Sequence, residues 1–342
     1  MAITRGRIKQ AEFITVYGQD GVCKTSLAAG APDVLFLDAE KGSLHLDVAR
    51  EEITDYNSLD GALDRIIAGH PDYAKFKSIA FDSLDWLVPK VYAYVCATVK
   101  HEKGHSVDSI EGYGFGKGYV HAREVWQKLI AKCQAIRAKG LNVILLAHAQ
   151  VFNIDSPDTT GAYKQYDLKL PRTSNNDIAA LFREACDTVA FLSWKRLTPK
   201  DDPRALDGGR VMRTQQAPGW AAKNRFGLPD EIALPEFKRD ASGVVIPGQE
   251  RLLWAAYTDA VAAAQAGGPS VSAILALAEQ VPDIKLRNTI KSAVISVEGQ
   301  PAKLVAYLEK IKKIVSKGTD VQPVAPAAVP AAATSTAPKE EI

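Results

Sequence analysis

Short runs of apolar residues alternate with longer amphipathic stretches between residues 12 and 190. The runs of strand length are Phe13–Tyr17, Val34–Leu37, Ile79–Phe81, Val143–Ala147 and Thr188–Leu192. The longer stretches, Ser58–Gly69 and Tyr119–Lys139, repeat apolar residues at helical spacing, as Val120, Val125 and Leu129 do, and Gly140 ends the second one. Buried strands that alternate with helices are typical of α/β proteins. We therefore predict a mostly parallel sheet covered by helices on both faces.

The pattern changes in the second half of the chain. Residues 193–250 are rich in proline and glycine and predict hairpins at the edge of the first domain, which extends over residues 1–265. Residues 266–270, which begin with Ala266-Gly267-Gly268-Pro269, predict a linker. Residues 271–317 predict a small helical unit. The proline- and alanine-rich tail, residues 318–342, has too little apolar bulk to pack, and we expect it to be disordered.

Composition and charge exclude several classes of protein. The 342 residues are 46% hydrophobic and 24% charged, as in ordinary globular proteins rather than disordered or collagen-like chains. The net charge of +2 does not by itself indicate a polyanionic partner. The four cysteines are widely spaced without a C-x-x-C pair, as is typical of reduced proteins. The sequence contains no apolar run approaching the ~18 residues of a membrane helix. We expect a cytoplasmic protein with no membrane partner.

The strongest chemical motif is the segment between the first predicted strand and the helix that follows it. This segment reads Gly18-Gln19-Asp20-Gly21-Val22-Cys23-Lys24-Thr25-Ser26. It matches the phosphate-loop pattern G-x-x-x-x-G-K-[ST] except that Cys23 replaces the last glycine. In such a loop backbone N–H groups bind phosphates, Lys24 reaches the β- and γ-phosphates, and Thr25 places its hydroxyl on Mg²⁺. We therefore predict that residues 18–26 bind ATP with Mg²⁺. The Cys23 side chain either points away from the nucleotide or weakens its binding.

Polar residues follow three other predicted strands at the same edge of the sheet. Asp82 is predicted to hold Mg²⁺, with a helix N-cap as the alternative. Glu40 is predicted to polarise the attacking water, with a solvated loop acid as the alternative. His148 or Gln150 is predicted to sense the γ-phosphate, with a structural histidine as the alternative. Asp85 fits the interpretation of a helix-capping residue better than that of a ligand.

Several segments together resemble phage-encoded RecA-like ATPases, also known as phage nucleotide-binding proteins. The segments that carry the resemblance are Val16-Tyr17-Gly18 through Lys24-Thr25-Ser26, Phe36–Gly42, Phe81–Leu87, Tyr113–Tyr119, Ala147–Gln150 and Ala222–Pro229. The resemblance covers roughly residues 12 to 235. It implies a RecA-like P-loop NTPase core, ATP with Mg²⁺, and single-stranded DNA as a partner, in some members together with a single-stranded-DNA-binding protein. It also implies Lys24, Glu40 and His148 as catalytic residues, and Thr25 and Asp82 as ligands of Mg²⁺. Cys23 departs from the glycine of that group.

Two predicted loops have the composition that suits single-stranded DNA. They follow the strands that end at Asp82 and His148, and they combine glycines, lysines and aromatic residues such as Tyr113 and Phe115. A further basic stretch lies between Lys195 and Arg225. The candidate DNA contacts are Lys117, Tyr119, Lys164, Lys169, Arg172, Lys223 and Arg225. The alternative is that these segments are solvated loops and a charged edge hairpin.

These observations predict an ATP-dependent, single-stranded-DNA-binding recombinase or annealing protein. ATP is expected to stabilise a head-to-tail contact between subunits, which gives a ring or a filament. One alternative is a hexameric helicase-like or packaging motor. The other is a nucleotide-binding DNA scaffold that hydrolyses little ATP because Cys23 replaces the glycine.

Overall fold

The computed structural model describes residues 5–318 except positions 7, 9, 156–160, 174–175, 198–205, 239, 243–245, 266–270, 280, 282 and 297–300. The predicted linker at residues 266–270 and the predicted tail beyond Gly318 lie outside the described residues. The chain divides into two compact units, residues 1–268 and residues 269–342.

The first unit is built from alternating strands and helices. Its strands are β1 (Phe13–Gly18), β2 (Val34–Asp38), β3 (Ala49–Glu52), β4 (Ser78–Asp82), β5 (Asn142–Ile154), β6 (Tyr163–Leu168), β7 (Arg172–Thr173), β8 (Asn176–Asp177), β9 (Thr188–Leu197), β10 (Leu206–Arg213), β11 (Lys223–Asn224) and β12 (Glu231–Leu234). Its α-helices are α1 (Lys24–Ala29), α2 (Tyr56–Ala68), α3 (Leu84–Thr98), α4 (Lys117–Ala138), α5 (Ile178–Ala185) and α6 (Glu250–Gln265). Two short 3₁₀ helices cover Pro71–Tyr73 and Ile110–Tyr113.

One large sheet organises this unit. Its strand order is β12-β10-β9-β1-β5-β4-β2-β3, and the strands from β9 to β3 run parallel. The strands β10 and β12 add antiparallel pairs at one edge. The predicted α/β fold with a mostly parallel sheet is therefore confirmed. Strand β5 lies between β1 and β4, so the carboxyl ends of β1, β5, β4 and β2 follow one another along one edge.

Helices bury both faces of this sheet, because its central strands are apolar on both sides. In β1, Phe13 and Tyr17 pack in the core formed with α2, α3, α4 and α5. Their neighbours Ile14 and Val16 pack on the opposite face with α1 and α6. The alternation follows from the two-residue period of a strand. A strand that is buried on both faces reads as one continuous apolar run, which is why the sequence pattern revealed it.

Three differences from the sequence-based expectation concern strand β3, strand β5 and helix α4. Strand β3 has the sequence Ala-Arg-Glu-Glu and lies at the end of the sheet order, so it has no apolar run to reveal it. Strand β5 continues from His148 to Ile154 and pairs with antiparallel β6, where we expected a loop. Val120 is 53% exposed although its spacing predicted a buried position in α4.

The second unit consists of α7 (Val271–Ala278), α8 (Ile284–Ser296) and α9 (Pro301–Gly318). Its own apolar core includes Ile274, Val281, Val294 and Ile311. In the described part of the chain, every helix is either too short or too polar to span a bilayer.

Candidate functional site

The loop after β1 depends on glycine at two positions. A Cβ atom on Gly18 would lie 2.4 Å from the carbonyl oxygen of Leu192 on the neighbouring strand β9, so only glycine fits there. Gly21 has a φ of 75°, a backbone region that residues with a side chain adopt at a cost. The sequence motif therefore reflects both a close approach and a left-handed turn in the backbone.

Cys23 occupies the last position of the loop, immediately before α1. Its φ of 69° and ψ of 36° are left-handed, as expected for the glycine that the motif normally carries. The half-buried thiol contacts the guanidinium of Arg210 on β10. Arg210 in turn lies 5.2 Å from the ring centroid of Trp194 and 5.3 Å from that of Phe237. The Cys23 side chain is thus directed toward β10 and its aromatic neighbours.

Lys24 folds back over the loop. Its ammonium group donates hydrogen bonds to the carbonyl oxygens of Gly18 at 3.0 Å and Gln19 at 2.9 Å. Burial lowers the pKa of Lys24, while the nearby carboxylates of Asp20 and Glu40 oppose that shift. A buried ammonium group held on backbone carbonyls can exchange these weak acceptors for the charged oxygens of a phosphate.

Thr25 and Asp82 bring two oxygen atoms together at the end of β4. The Thr25 hydroxyl donates to Oδ2 of Asp82 at 3.1 Å. Burial, and next the charge of Glu40, raise the pKa of Asp82 to about 7. The two oxygens are spaced almost as adjacent Mg²⁺ ligands are, roughly 2.9 Å apart for octahedral bonds of about 2.05 Å. The described residues hold no group of three or more His, Cys, Asp or Glu side chains arranged for a metal. Thr25 and Asp82 supply two oxygens and Mg²⁺ takes six, so a cation here would also bind oxygens of water or of a bound phosphate.

Glu40 is held at the same edge by a tight turn after β2. The N–H groups of Ala39 and Glu40 donate to the carbonyl oxygen of Asp82 at 2.7 and 3.1 Å. The Asp38 carboxylate accepts from the N–H groups of Glu40 and Lys41, which fixes the turn. The Ser83 hydroxyl donates to Oε2 of Glu40 at 2.8 Å. The carboxylate of Glu40 is therefore fixed beside Asp82.

His148 completes this edge from β5, opposite Gly18 in the register of β1. Its Nδ1 lies 2.9 Å from Oδ2 of Asp85, and its Nε2 faces Asp20 at 3.4 Å and Glu40 at 3.6 Å. The hydrogen bond with Asp85 raises the pKa of His148, although burial opposes it. The other sensor candidate, Gln150, is exposed. His148 is therefore the one that lies beside the phosphate loop.

Asp85 is the residue of this site that sequence reasoning missed. It lies in the first turn of α3, but its carboxylate accepts from the ring and the backbone N–H of His148. It also competes with Glu40 for the single proton of the Ser83 hydroxyl, 2.9 Å away. Burial raises the pKa of Asp85, but the hydrogen bonds from His148 outweigh this effect and lower it. An acid in a first helical turn is equally typical of helix capping, so the sequence carried no signal that pointed to His148.

The predicted DNA contacts fall into three groups. Lys117, Tyr119 and Arg172 lie on the carboxyl side of the sheet, but each has a carboxylate partner: Glu102, Glu111, and Asp167 with Asp177. Lys164 and Lys169 lie on the exposed side of the β5–β6 hairpin and its end, and within the described residues their ammonium groups have no partner.

Lys223 and Arg225 lie at the amino ends of the parallel strands, opposite the carboxyl ends that carry the phosphate loop. Strand β11 pairs with the beginning of β9, far from the phosphate loop at the end of β1. Lys223 donates to the carbonyl oxygens of Arg183 and Glu184, and Arg225 pairs with Asp187. The structure therefore does not bring these two residues onto the same surface as Lys164 and Lys169. Their positive charges stabilise the end of α5.

The loop before α4 carries an exposed aromatic side chain. Phe115 is fully exposed and has a φ of 47°, between Gly114 at 71° and Gly116 at 73°. Helix α4 is about 33 Å long, compared with about 20 Å for β1. The end of α4 is anchored at the amino edge, where Arg137 donates to the carbonyl of Ala11. The beginning of α4 and Phe115 therefore lie on the side of the phosphate loop. Tyr113, by contrast, is buried, and its hydroxyl donates to the carbonyl oxygen of Val95 at 3.0 Å.

A comparison with protein families agrees with this architecture. A family model described as AAA domain matches residues 11–226, which is more than half of the chain. The matched region includes the phosphate loop and the ends of β2, β4 and β5. No curated protein sequence matches the chain.

Proposed function

The chain belongs to the AAA domain family, and we propose that it binds ATP at the carboxyl edge of its sheet and hydrolyses it. One observation carries this proposal: Lys24, the Thr25–Asp82 pair, Glu40 and His148 converge there from four adjacent strand ends. The family match supports a P-loop NTPase fold and nucleotide binding. The convergence supports the roles of the individual side chains.

The proposed reaction uses groups that are already in position. Lys24 exchanges the carbonyl oxygens of Gly18 and Gln19 for oxygens of the β- and γ-phosphates. Glu40 accepts a proton from the water that attacks the γ-phosphorus, while the bond from that phosphorus to the bridging oxygen breaks. ADP and inorganic phosphate are the products. Held by Thr25 and Asp82 together with phosphate oxygens, Mg²⁺ would neutralise charge on the phosphates.

Two substitutions separate binding from hydrolysis. Lys24→Ala removes two charge-assisted contacts and is expected to weaken ATP binding about 100-fold. Glu40→Gln keeps the side-chain shape and is expected to retain ATP binding, while the steady-state hydrolysis rate falls at least about 100-fold. Fluorescent ATP titration and phosphate release measure the two effects. Lys77→Ala is the matched control, because Lys77 pairs with Asp33 on the surface. Unchanged ATP affinity in Lys24→Ala would overturn the proposal.

We further propose that single-stranded DNA binds on the same side of the sheet, as in a recombinase or annealing protein. The exposed Phe115 ring, in a backbone conformation that is costly for phenylalanine, supports a stacking contact with a base. Among the residues that the structure describes, the ammonium groups of Lys164 and Lys169 have no partner, which supports contacts with phosphates. Strand annealing without duplex unwinding is the expected activity, and measured unwinding would favour a motor instead.

The two kinds of contact differ in their dependence on salt. Phe115→Ala is expected to weaken the binding of a single-stranded oligonucleotide about tenfold or more. The slope of log affinity against log salt concentration should not change, because the ring makes no phosphate contact. Lys164→Ala is expected to reduce that slope by about one unit. Leu252→Ala, an exposed apolar residue on α6 at the other face of the sheet, is the control. DNA affinity that is independent of salt in the wild-type protein would refute this part of the proposal.

A further inference from the structure

Both ring nitrogens of His148 face carboxylates. Nδ1 lies 2.9 Å from Asp85, while Nε2 lies 3.4 Å from Asp20 and 3.6 Å from Glu40. A neutral imidazole carries one N–H and one lone pair, so one of its nitrogens would direct a lone pair at an anion. Only the imidazolium form donates at both ends. The arrangement of acceptors therefore favours the charged ring before any nucleotide is bound.

Asp85 fixes the orientation of the His148 ring. Its carboxylate is 5% exposed, and it accepts from both the ring and the backbone N–H of His148. The two contacts fix the ring so that Nε2 points across the edge of the sheet toward Glu40 and the phosphate loop. Asp20 is 91% exposed and sits on the loop itself, so its contact with Nε2 is easily exchanged for another acceptor.

One positive group opposes this arrangement. The ammonium of Lys24 is close enough to disfavour a second cation at His148. It is itself buried, and it is directed at the carbonyl oxygens of Gly18 and Gln19 rather than at the ring. A bound triphosphate would add negative charge between the two cations and would reduce their repulsion.

We propose that Asp85 is a positioning residue that holds His148 as an imidazolium whose Nε2–H is directed at the γ-phosphate. This inference rests on the proposed ATP site and adds the charge state and the orienting residue. His148 then acts as a cation supplied from within the chain, which stabilises the charge that develops on the transferred phosphoryl group. The proton stays on the ring throughout, so no proton transfer through His148 is required.

The charge state makes the activity dependent on pH in a defined direction. The hydrogen bond with Asp85 raises the pKa of His148, so the charged form is present at low pH and is lost as pH rises through that value. Removing the charge of Asp85 moves this loss to lower pH. We therefore expect the alkaline limb of ATP hydrolysis to shift downward in Asp85→Asn.

The test combines a direct and a functional measurement on the full chain. The imidazole ¹H–¹⁵N correlation spectrum of the nucleotide-free protein is titrated with pH, with His148→Gln identifying the signal of His148. In Asp85→Asn that signal is expected to titrate at lower pH than in wild type. At the alkaline end of the profile, the hydrolysis rate is expected to fall about tenfold, with a smaller loss at the acidic end. Asp72→Asn is the matched control, because it removes an exposed carboxylate beside another histidine, His70.

The outcomes of the two measurements distinguish the role of Asp85 from the proposed ATPase activity. A titration of His148 that is the same in wild type and Asp85→Asn overturns the inference, and thermal unfolding of both proteins shows whether the variant is folded. A shifted titration with an unchanged pH–rate profile refutes the positioning role but leaves ATP hydrolysis intact. Failure of the wild-type protein to bind ATP refutes the proposed function, and the role toward the γ-phosphate with it.

Discussion

Replacing Cys23 tests how the phosphate loop accommodates a side chain in a left-handed conformation. At a φ of 69°, a residue with a Cβ costs about 1–2 kcal/mol relative to glycine. Glycine in turn gains about 0.5–1 kcal/mol of additional conformational entropy in the unfolded chain. The balance predicts that Cys23→Gly is more stable than Cys23→Ala by about 0.5–1 kcal/mol, because alanine keeps the Cβ and loses only the sulfur.

The pair of variants also isolates the thiol. The difference between wild type and Cys23→Ala reports the contact of the sulfur with Arg210, for which we expect a loss of about 1 kcal/mol. Urea denaturation measures all three stabilities, and ATP titration measures the affinities. Cys23→Gly is expected to bind ATP at least as tightly as wild type, since it removes a side chain from the loop.

Gly21→Ala is the internal control for this reasoning. Gly21 has a φ of 75°, and a Cβ there would have no heavy atom within 4 Å, so alanine adds backbone strain without a clash. Its stability should fall by about 1 kcal/mol, so alanine is expected to be less stable than glycine at position 21 as it is at position 23. If Cys23→Ala proved as stable as Cys23→Gly while Gly21→Ala was destabilised, strain at position 23 would be refuted.

Two further predictions concern other parts of the first unit. An alkylating reagent should modify Cys23 before Cys133 and Cys186, because these two are fully buried and burial raises their pKa values. Bound ATP should slow the modification of Cys23. Peptide mass spectrometry measures the order of modification, and equal rates of Cys23 modification with and without ATP would contradict the prediction. Asp167→Ala should lower the free energy of unfolding by about 2 kcal/mol, because it removes the buried carboxylate that Arg172 and Arg183 share and leaves them only the more exposed Asp177. Asp64→Ala, whose carboxylate is 62% exposed, should change it by less than about 1 kcal/mol, as urea denaturation can verify.

The central sheet was predictable because its strands are buried on both faces and therefore read as apolar runs. No boundary of β1, β2 or β4 differs from the expected one by more than one residue. Strand β3 was missed because a strand at the end of the sheet order, with charged side chains, leaves no apolar pattern. The extension of β5 was missed because it is stabilised by pairing with β6, a contact between segments that sequence periodicity does not report.

The candidate site divides along similar lines. The phosphate loop was identifiable because its glycines, Lys24 and Thr25 follow an apolar run in a known spacing. Asp82 and His148 were identifiable because each is a polar residue directly after an apolar run. The pairing of Asp85 with His148 spans 63 positions and depends on how α3 leaves the sheet. The placement of Lys223 and Arg225 at the amino edge depends on the register of β11 against β9. Such long-range geometry is set by the fold, whereas composition reports only that the charges exist.

Strand β5 passes without interruption from the phosphate loop to the hairpin. It holds His148 within the parallel sheet and then continues to Ile154, about 20 Å further along at about 3.3 Å per residue. A paired strand resists stretching along its axis, so the distance between His148 and the hairpin is fixed by the strand. In the ATPase proposed above, β5 would therefore be a stiff connection between His148, beside the phosphate loop, and the surface where Lys164 lies.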